Sequence, residues 1–69
     1  MHYIEIQTPQ RLFTLHVTDD KKLEEMINRL KYVMSTPGHW FHEAVNEYED
    51  IVLPSALLSM SSFIVYKNG

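Results

Sequence analysis

The chain has 69 residues, contains no cysteine and carries a formal net charge of −3 at pH 7. This length excludes a second domain, so residues 1–69 are expected to form one compact unit. The lack of cysteine excludes a disulfide scaffold and any zinc site built on thiolates. With 45% hydrophobic and 22% charged residues, the composition is typical of a folded chain and not of a disordered one.

No part of the sequence has the pattern of a targeting or membrane segment. Residues 1–5 lack the basic and apolar regions of a signal peptide. The longest unbroken apolar run, residues 63–66, is far shorter than the ~20 residues that a membrane span needs. We therefore expect a cytoplasmic protein without membrane contact, and the initiator methionine indicates a complete small gene product. In size and pattern alone, the chain resembles short proteins encoded in bacterial or phage genomes.

Residues 2–7 and 11–17 have the alternating pattern of a β-hairpin. Pro9 excludes a two-residue type I′ turn but suits a four-residue loop, Thr8 to Arg11, built on a type I turn. This loop predicts that Gln7 pairs with Leu12. The register gathers the apolar side chains of both strands on one face, namely Ile4, Ile6, Phe13, Leu15 and Val17.

Residues 20–34 have the periodicity of an amphipathic helix. Its apolar stripe consists of Leu23, Met26, Ile27, Leu30, Val33 and Met34. Thr18 or Asp19 is expected to cap its first turn, and Pro37 to end it. Glu25 and Arg29 are spaced for an ion pair on its surface.

The remaining segments complete a compact α+β domain. We expect strands at 40–45 and 51–53, an acidic turn at 46–50 that pairs Val45 with Ile51, one helical turn at 55–58, and a last strand at 63–67. The fold is then a small antiparallel β-sheet, in the order β-β-α-β-β-β, with one amphipathic helix packed on one face. The last strand can join either hairpin.

Both faces of this sheet carry large apolar residues, although one helix covers only one face. An exposed apolar face usually marks an interface, so we expect a homodimer or a complex with another protein. The alternative is that the second face is only half apolar and that the C-terminal segments fold over it. The candidate interface residues are Tyr3, Leu12, His16, Trp40 and Tyr66.

The negative charge is confined to the second half of the chain. Acids and bases cancel over residues 1–38, and the excess comes from Glu43 and the candidate docking turn Glu47, Tyr48, Glu49 and Asp50. This turn is either a solvated hairpin tip or a docking site for a basic protein. Nucleic-acid binding is disfavoured, because the basic helix residues Lys21, Lys22, Arg29 and Lys31 are accompanied by Glu24 and Glu25.

The sequence carries no motif of catalysis or of cofactor binding. It has no Gly-x-Ser-x-Gly elbow, and its two glycines, Gly38 and Gly69, make no phosphate-binding loop. We therefore expect a non-enzymatic protein–protein interaction module that self-associates, in a regulatory or inhibitory role toward a larger protein and without a cofactor. The alternative is a small-ligand or metal-binding module using His16, His39 and His42, and the third hypothesis is a nucleic-acid-binding protein.

Overall fold

The computed structural model describes residues 1–67. Its elements are β1 (His2–Gln7), β2 (Leu12–Val17), α1 (Asp20–Ser35), β3 (Trp40–Ala44), β4 (Asp50–Pro54), the short helix α2 (Ser55–Leu58) and β5 (Ser62–Tyr66). The strands form a three-stranded antiparallel sheet in the order β2-β1-β5 and a two-stranded antiparallel sheet, β3-β4. The predicted α+β class is confirmed, whereas the predicted strand order is matched only roughly, since the strands divide into two sheets and α2 separates β4 from β5.

The first hairpin has the predicted register, with Gln7 opposite Leu12. Its loop is closed by Thr8, whose backbone N–H donates to the Arg11 carbonyl at 3.0 Å. The Thr8 hydroxyl oxygen also accepts from the backbone N–H groups of Gln10 and Arg11, at 3.2 and 3.0 Å. The last strand, β5, joins the free edge of β1 and not the second hairpin, with Tyr66 opposite Tyr3.

Helix α1 begins and ends close to the predicted residues. Asp19 is the N-cap, and its carboxylate accepts from the Lys22 N–H at 2.7 Å. After the helix, Gly38 adopts a φ of 87°, in the left-handed region that glycine tolerates best. The stripe that the helix buries consists of Leu23, Met26, Leu30 and Val33, with Ile27 and Met34 partly buried beside it.

The core lies between α1 and the inner faces of the two sheets. The three-stranded sheet contributes Ile4, Ile6, Leu15 and Val17. The second hairpin contributes Phe41, which is 1% exposed, and Leu53, while Trp40 is 63% exposed. Phe41, rather than Trp40, is therefore the aromatic residue of β3 that packs into the core.

The predicted register of the second hairpin was wrong by two residues. Val45 was expected opposite Ile51, but its N–H donates to the Glu49 carbonyl at 2.8 Å, and Ala44 lies opposite Asp50. The Asn46 side chain closes the tighter turn, because its Oδ1 accepts from the Tyr48 N–H at 2.7 Å. A shift of two residues leaves each side chain on its expected face.

The expected single sheet is divided in two. Within residues 1–67, no ladder joins β2 or β5 to the second hairpin. The outer edge of β3 is occupied instead by Arg29 of α1, whose Nη2 donates to the His42 carbonyl at 2.9 Å. Because a side chain takes the place of a neighbouring strand there, the sheet cannot continue beyond β3.

Candidate interaction surfaces

The three-stranded sheet has α1 on one face and leaves its other face to solvent. The register arranges this second face as three cross-strand rows. These rows, which we call the open face, are His16–Tyr3–Tyr66, Thr14–Glu5–Ile64 and Leu12–Gln7–Ser62.

An aromatic row crosses one end of the open face. Tyr3 stacks on Tyr66 with ring centroids 4.5 Å apart and an interplanar angle of 15°. On its other side, the ring of Tyr3 lies 6.0 Å from that of His16, at 43°. The three rings belong to three adjacent strands, so they form one continuous aromatic surface.

The carboxylate of Glu5 lies beside this row. The Tyr66 hydroxyl donates to Glu5 Oε1 at 3.3 Å. Partial desolvation raises the pKa of the Tyr66 hydroxyl, and the neighbouring Glu5 charge and hydrogen bond raise it further. The hydroxyl thus gives the carboxylate a hydrogen-bond donor on the open face.

Four of the five candidate interface residues lie together on the open face, namely Tyr3, Leu12, His16 and Tyr66. Leu12 is 51% exposed, and Ile64, which was not among the candidates, is 39% exposed. Ile64 alternates with the partly buried Phe63 and Val65 of β5, and the pairing of β5 with β1 places it on the open face. The interface role of these residues stays a prediction.

Trp40 lies on a different surface from the other candidates. It is on the outer face of the two-stranded sheet, opposite Pro54, and Val52 on the same face is 56% exposed. On the neighbouring helix, Tyr32 is 57% exposed and makes an edge-to-face contact with His39, with centroids 5.4 Å apart. The apolar surface is thus divided between the two sheets and does not form one patch.

Two members of the candidate docking turn have polar partners within the chain. Glu49 accepts from the Asn46 side-chain amide at 2.8 Å. Asp50 belongs to β4 rather than to the turn, and its Oδ2 lies 2.9 Å from Nε2 of His42. Glu47 and Tyr48 are exposed, with Tyr48 at 90%. Glu47 and Tyr48 are therefore the residues of the turn most accessible to a partner.

The three histidines of the metal-binding alternative have separate neighbours. His16 lies beside Tyr3, His39 against Tyr32 and His42 beside Asp50. Among residues 1–67, no group of three histidine or acidic side chains is arranged to hold a metal ion. The structure does not bring the three histidines together.

Comparison of the chain with protein-family models, with curated proteins and with solved structures found no match. In the part of the chain that the structure describes, no helix has the length and apolar character needed to cross a membrane.

Proposed function

We propose that this chain is a non-enzymatic protein–protein interaction module that self-associates through its open face. The aromatic row of His16, Tyr3 and Tyr66 carries the proposal. It lies on the side of the sheet opposite α1, with the exposed Ile64 beside it in the middle row and the exposed Leu12 in the third row. Tyrosine is enriched at protein interfaces, because its ring supplies apolar area while its hydroxyl keeps a polar partner.

The chemistry of the open face favours a second copy as the partner. The face carries one carboxylate, Glu5, and one imidazole, His16, on adjacent rows and adjacent strands. If the two-fold axis of a dimer passes between these two diagonal positions, the Glu5 of each copy faces the His16 of the other. Such an isologous contact needs only one self-complementary surface.

The size of the face sets the expected strength of the dimer. Two faces of three short strands would bury on the order of 1,000 Å² in total, which is at the low end for specific interfaces. Association also costs translational and rotational freedom. We therefore expect a dimer that forms at high protein concentration and dissociates on dilution.

Sedimentation equilibrium over a wide concentration range tests this proposal. The wild-type chain is expected to approach twice its monomer mass of 8.2 kDa at the highest concentrations. Ile64→Lys places a charge in the middle row of the open face, beside Glu5, and is expected to remain monomeric. A matched control, Val52→Lys, places the same charge at an exposed apolar position of the other sheet and is expected to associate like the wild type.

Two outcomes would overturn the proposal. The first is a wild-type chain that stays at the monomer mass throughout the concentration range. The second is equal association of the Ile64→Lys and Val52→Lys variants, which would place the contact away from the open face. Circular dichroism of both variants checks that each is folded before its mass is compared.

A further inference from the structure

A groove of about 390 Å³ separates the two sheets on the side of β2 and β4. One wall consists of residues 11–14, which lead into and form the start of β2. The other consists of residues 49–53, in and just before β4, together with Val45. Within residues 1–67, β2 pairs only with β1, and β4 pairs only with β3. The groove therefore lies between two strand edges that lack a neighbouring strand.

The ladder of the first hairpin determines which β2 backbone groups face the groove. Thr8 and Arg11 form a hydrogen-bonded pair, because the Thr8 N–H donates to the Arg11 carbonyl. In an antiparallel ladder such pairs alternate with pairs that are not bonded to each other. The backbone groups of Phe13 and Leu15 therefore point to β1, and those of Leu12 and Thr14 point outward, to the groove.

The same reasoning applies to β4. Val45 and Glu49 are hydrogen-bonded at one end of the second hairpin, and the Ser55 N–H donates to the His39 carbonyl at the other end. Both ends give the same alternation, so the backbone groups of Asp50 and Val52 point away from β3. Each wall thus presents two residues whose N–H and C=O groups have no partner across the groove within residues 1–67.

These edges differ from the outer edge of β3, where Arg29 donates to the His42 carbonyl. Exposed strand edges are templates for the addition of another strand, and proteins commonly block them with charged side chains or proline. Pro54 removes the N–H at the end of β4, but neither proline nor lysine occurs at positions 12–14 or 50–53. Asp50 is the single charged residue at these positions, and its carboxylate lies 2.9 Å from His42 Nε2 of β3. The edges that line the groove are therefore open to a strand of suitable length.

The charge around the groove favours a basic occupant. Glu49 and Asp50 line it, and Glu47 lies in the adjoining turn. Arg11 is the single basic residue of the lining, and its guanidinium lies 4.8 Å from the centroid of the Phe13 ring. The acidic groups thus outnumber the basic one at this site, which attracts lysine or arginine on a partner.

We propose that the groove binds an extended basic segment of another protein as an added β-strand between β2 and β4. The backbone of the segment would bond to Leu12 and Thr14 on one side and to Asp50 and Val52 on the other, which joins the two sheets into one. Affinity then comes from main-chain hydrogen bonds, and selectivity from a lysine or arginine near the acidic turn. This interaction uses strand edges and not the open face, so it is independent of self-association.

A display library of random ten-residue peptides, selected on the wild-type chain, supplies the probes. We expect enrichment of peptides that alternate apolar β-branched residues with lysine or arginine. Val52→Pro removes an outward N–H without breaking the ladder to β3, a position where strands tolerate proline. It is expected to weaken binding of the selected peptides at least tenfold, whereas the matched Val52→Thr variant keeps the N–H and binds like the wild type.

Backbone methylation of one selected peptide tests the geometry without any change to the protein. A strand between two edges uses the N–H groups on both of its sides, so N-methylation of either alternate set of residues is expected to weaken binding. If methylation of only one set weakens binding, the peptide pairs with a single strand edge. If methylation of neither set weakens binding, the peptide binds in another way. Either result, or a selection that yields no peptide sensitive to Val52→Pro, would overturn the proposal.

Self-association through the open face and peptide binding in the groove can be tested independently of each other. Sedimentation of the Val52→Pro variant is expected to match that of the wild type, because position 52 lies outside the three-stranded sheet. If the Val52→Pro variant loses peptide binding but self-associates like the wild type, the result supports strand addition in the groove and does not bear on self-association through the open face.

Discussion

Arg29 of α1 and Glu43 of β3 form an ion pair, with Nη1 2.7 Å from Oε2. The same guanidinium donates to the His42 carbonyl and lies 4.9 Å from the centroid of the Phe41 ring. One side chain thus fixes the second hairpin to the helix by charge, by a backbone hydrogen bond and by ring stacking. It also blocks the strand edge that would otherwise extend the two-stranded sheet.

Replacement of Arg29 is expected to destabilise the chain although its side chain is 45% exposed. Arg29→Ala should lower the free energy of unfolding by about 1–2 kcal/mol, since solvent screens the ion pair but the carbonyl also loses its donor. Arg29→Lys should recover only part of this, because an ammonium group cannot make both contacts in the same geometry. Urea denaturation measures the change, and Lys31→Ala on the same helix should stay within about 0.5 kcal/mol of the wild type. Equal effects at positions 29 and 31 would contradict the contact.

Truncation of the two adjacent aromatic residues of β3 is expected to destabilise the chain by very different amounts. Phe41 is 1% exposed, and Phe41→Ala should cost about 3–5 kcal/mol, a large share of the stability of so short a chain. Trp40 is 63% exposed, and Trp40→Ala should cost less than about 1 kcal/mol. Thermal melting followed by circular dichroism compares the two variants. A more damaging change at Trp40 would mean that β3 is placed with the wrong face inward.

Gly38 is expected to be sensitive to substitution through its backbone and not through lack of space. An added Cβ would meet no atom within 4 Å, but the φ of 87° is unfavourable for an L-residue. Gly38→Ala should therefore cost about 1–2 kcal/mol. Gly38→Asn should cost less, because asparagine adopts positive φ more readily. Denaturation in urea distinguishes the two, and an alanine variant as stable as the wild type would contradict the turn geometry.

The raised pKa of the Tyr66 hydroxyl predicts that the folded chain loses stability at alkaline pH. The folded chain holds this phenolic proton more tightly than the unfolded chain, since the pKa is raised above the ordinary value of 10.0. The contribution of Tyr66 to stability is therefore constant below that value and falls as the pH rises through the pKa of the folded chain. Ultraviolet titration should show a late-ionising tyrosine that disappears in Tyr66→Phe, while Glu5→Gln should lower its pKa.

Tyr48→Phe is the matched control for the titration, because it removes one phenol at a site that is 90% exposed. The late ionisation should persist in this variant. If it disappears with Tyr48 instead, the contact between Tyr66 and Glu5 does not exist in solution.

The parts of the fold that depend on neighbouring residues could be predicted from the sequence. Pro9 and the alternation of the first two strands fix the register of their hairpin, and the spacing from Leu23 to Met34 fixes the buried face of α1. The turn at 55–58 follows from Pro54, which suits the residue before a helical turn. In each case the decisive interactions lie within a few positions of one another.

The parts that depend on contacts across space could not be predicted. Arg29 was expected to pair with Glu25 four residues away, yet it contacts Glu43, fourteen residues away. The tighter turn of the second hairpin contains a hydrogen bond from the Tyr48 N–H to Asn46 Oδ1, and the expected five-residue turn did not include this bond. The division into two sheets, and with it the groove between β2 and β4, likewise depends on how the second hairpin lies against the rest of the chain, which the pattern of residues along each strand does not specify.

The unblocked edges of β2 and β4 also affect how the chain behaves when it is crowded with its own copies. An edge that accepts a foreign segment equally accepts a strand from an incompletely folded copy, and repeated addition of this kind leads to fibrils. Mutual repulsion from the net charge of −3 opposes this growth. Added salt screens that repulsion, so high ionic strength and mild destabilisation together are the conditions under which the chain should precipitate.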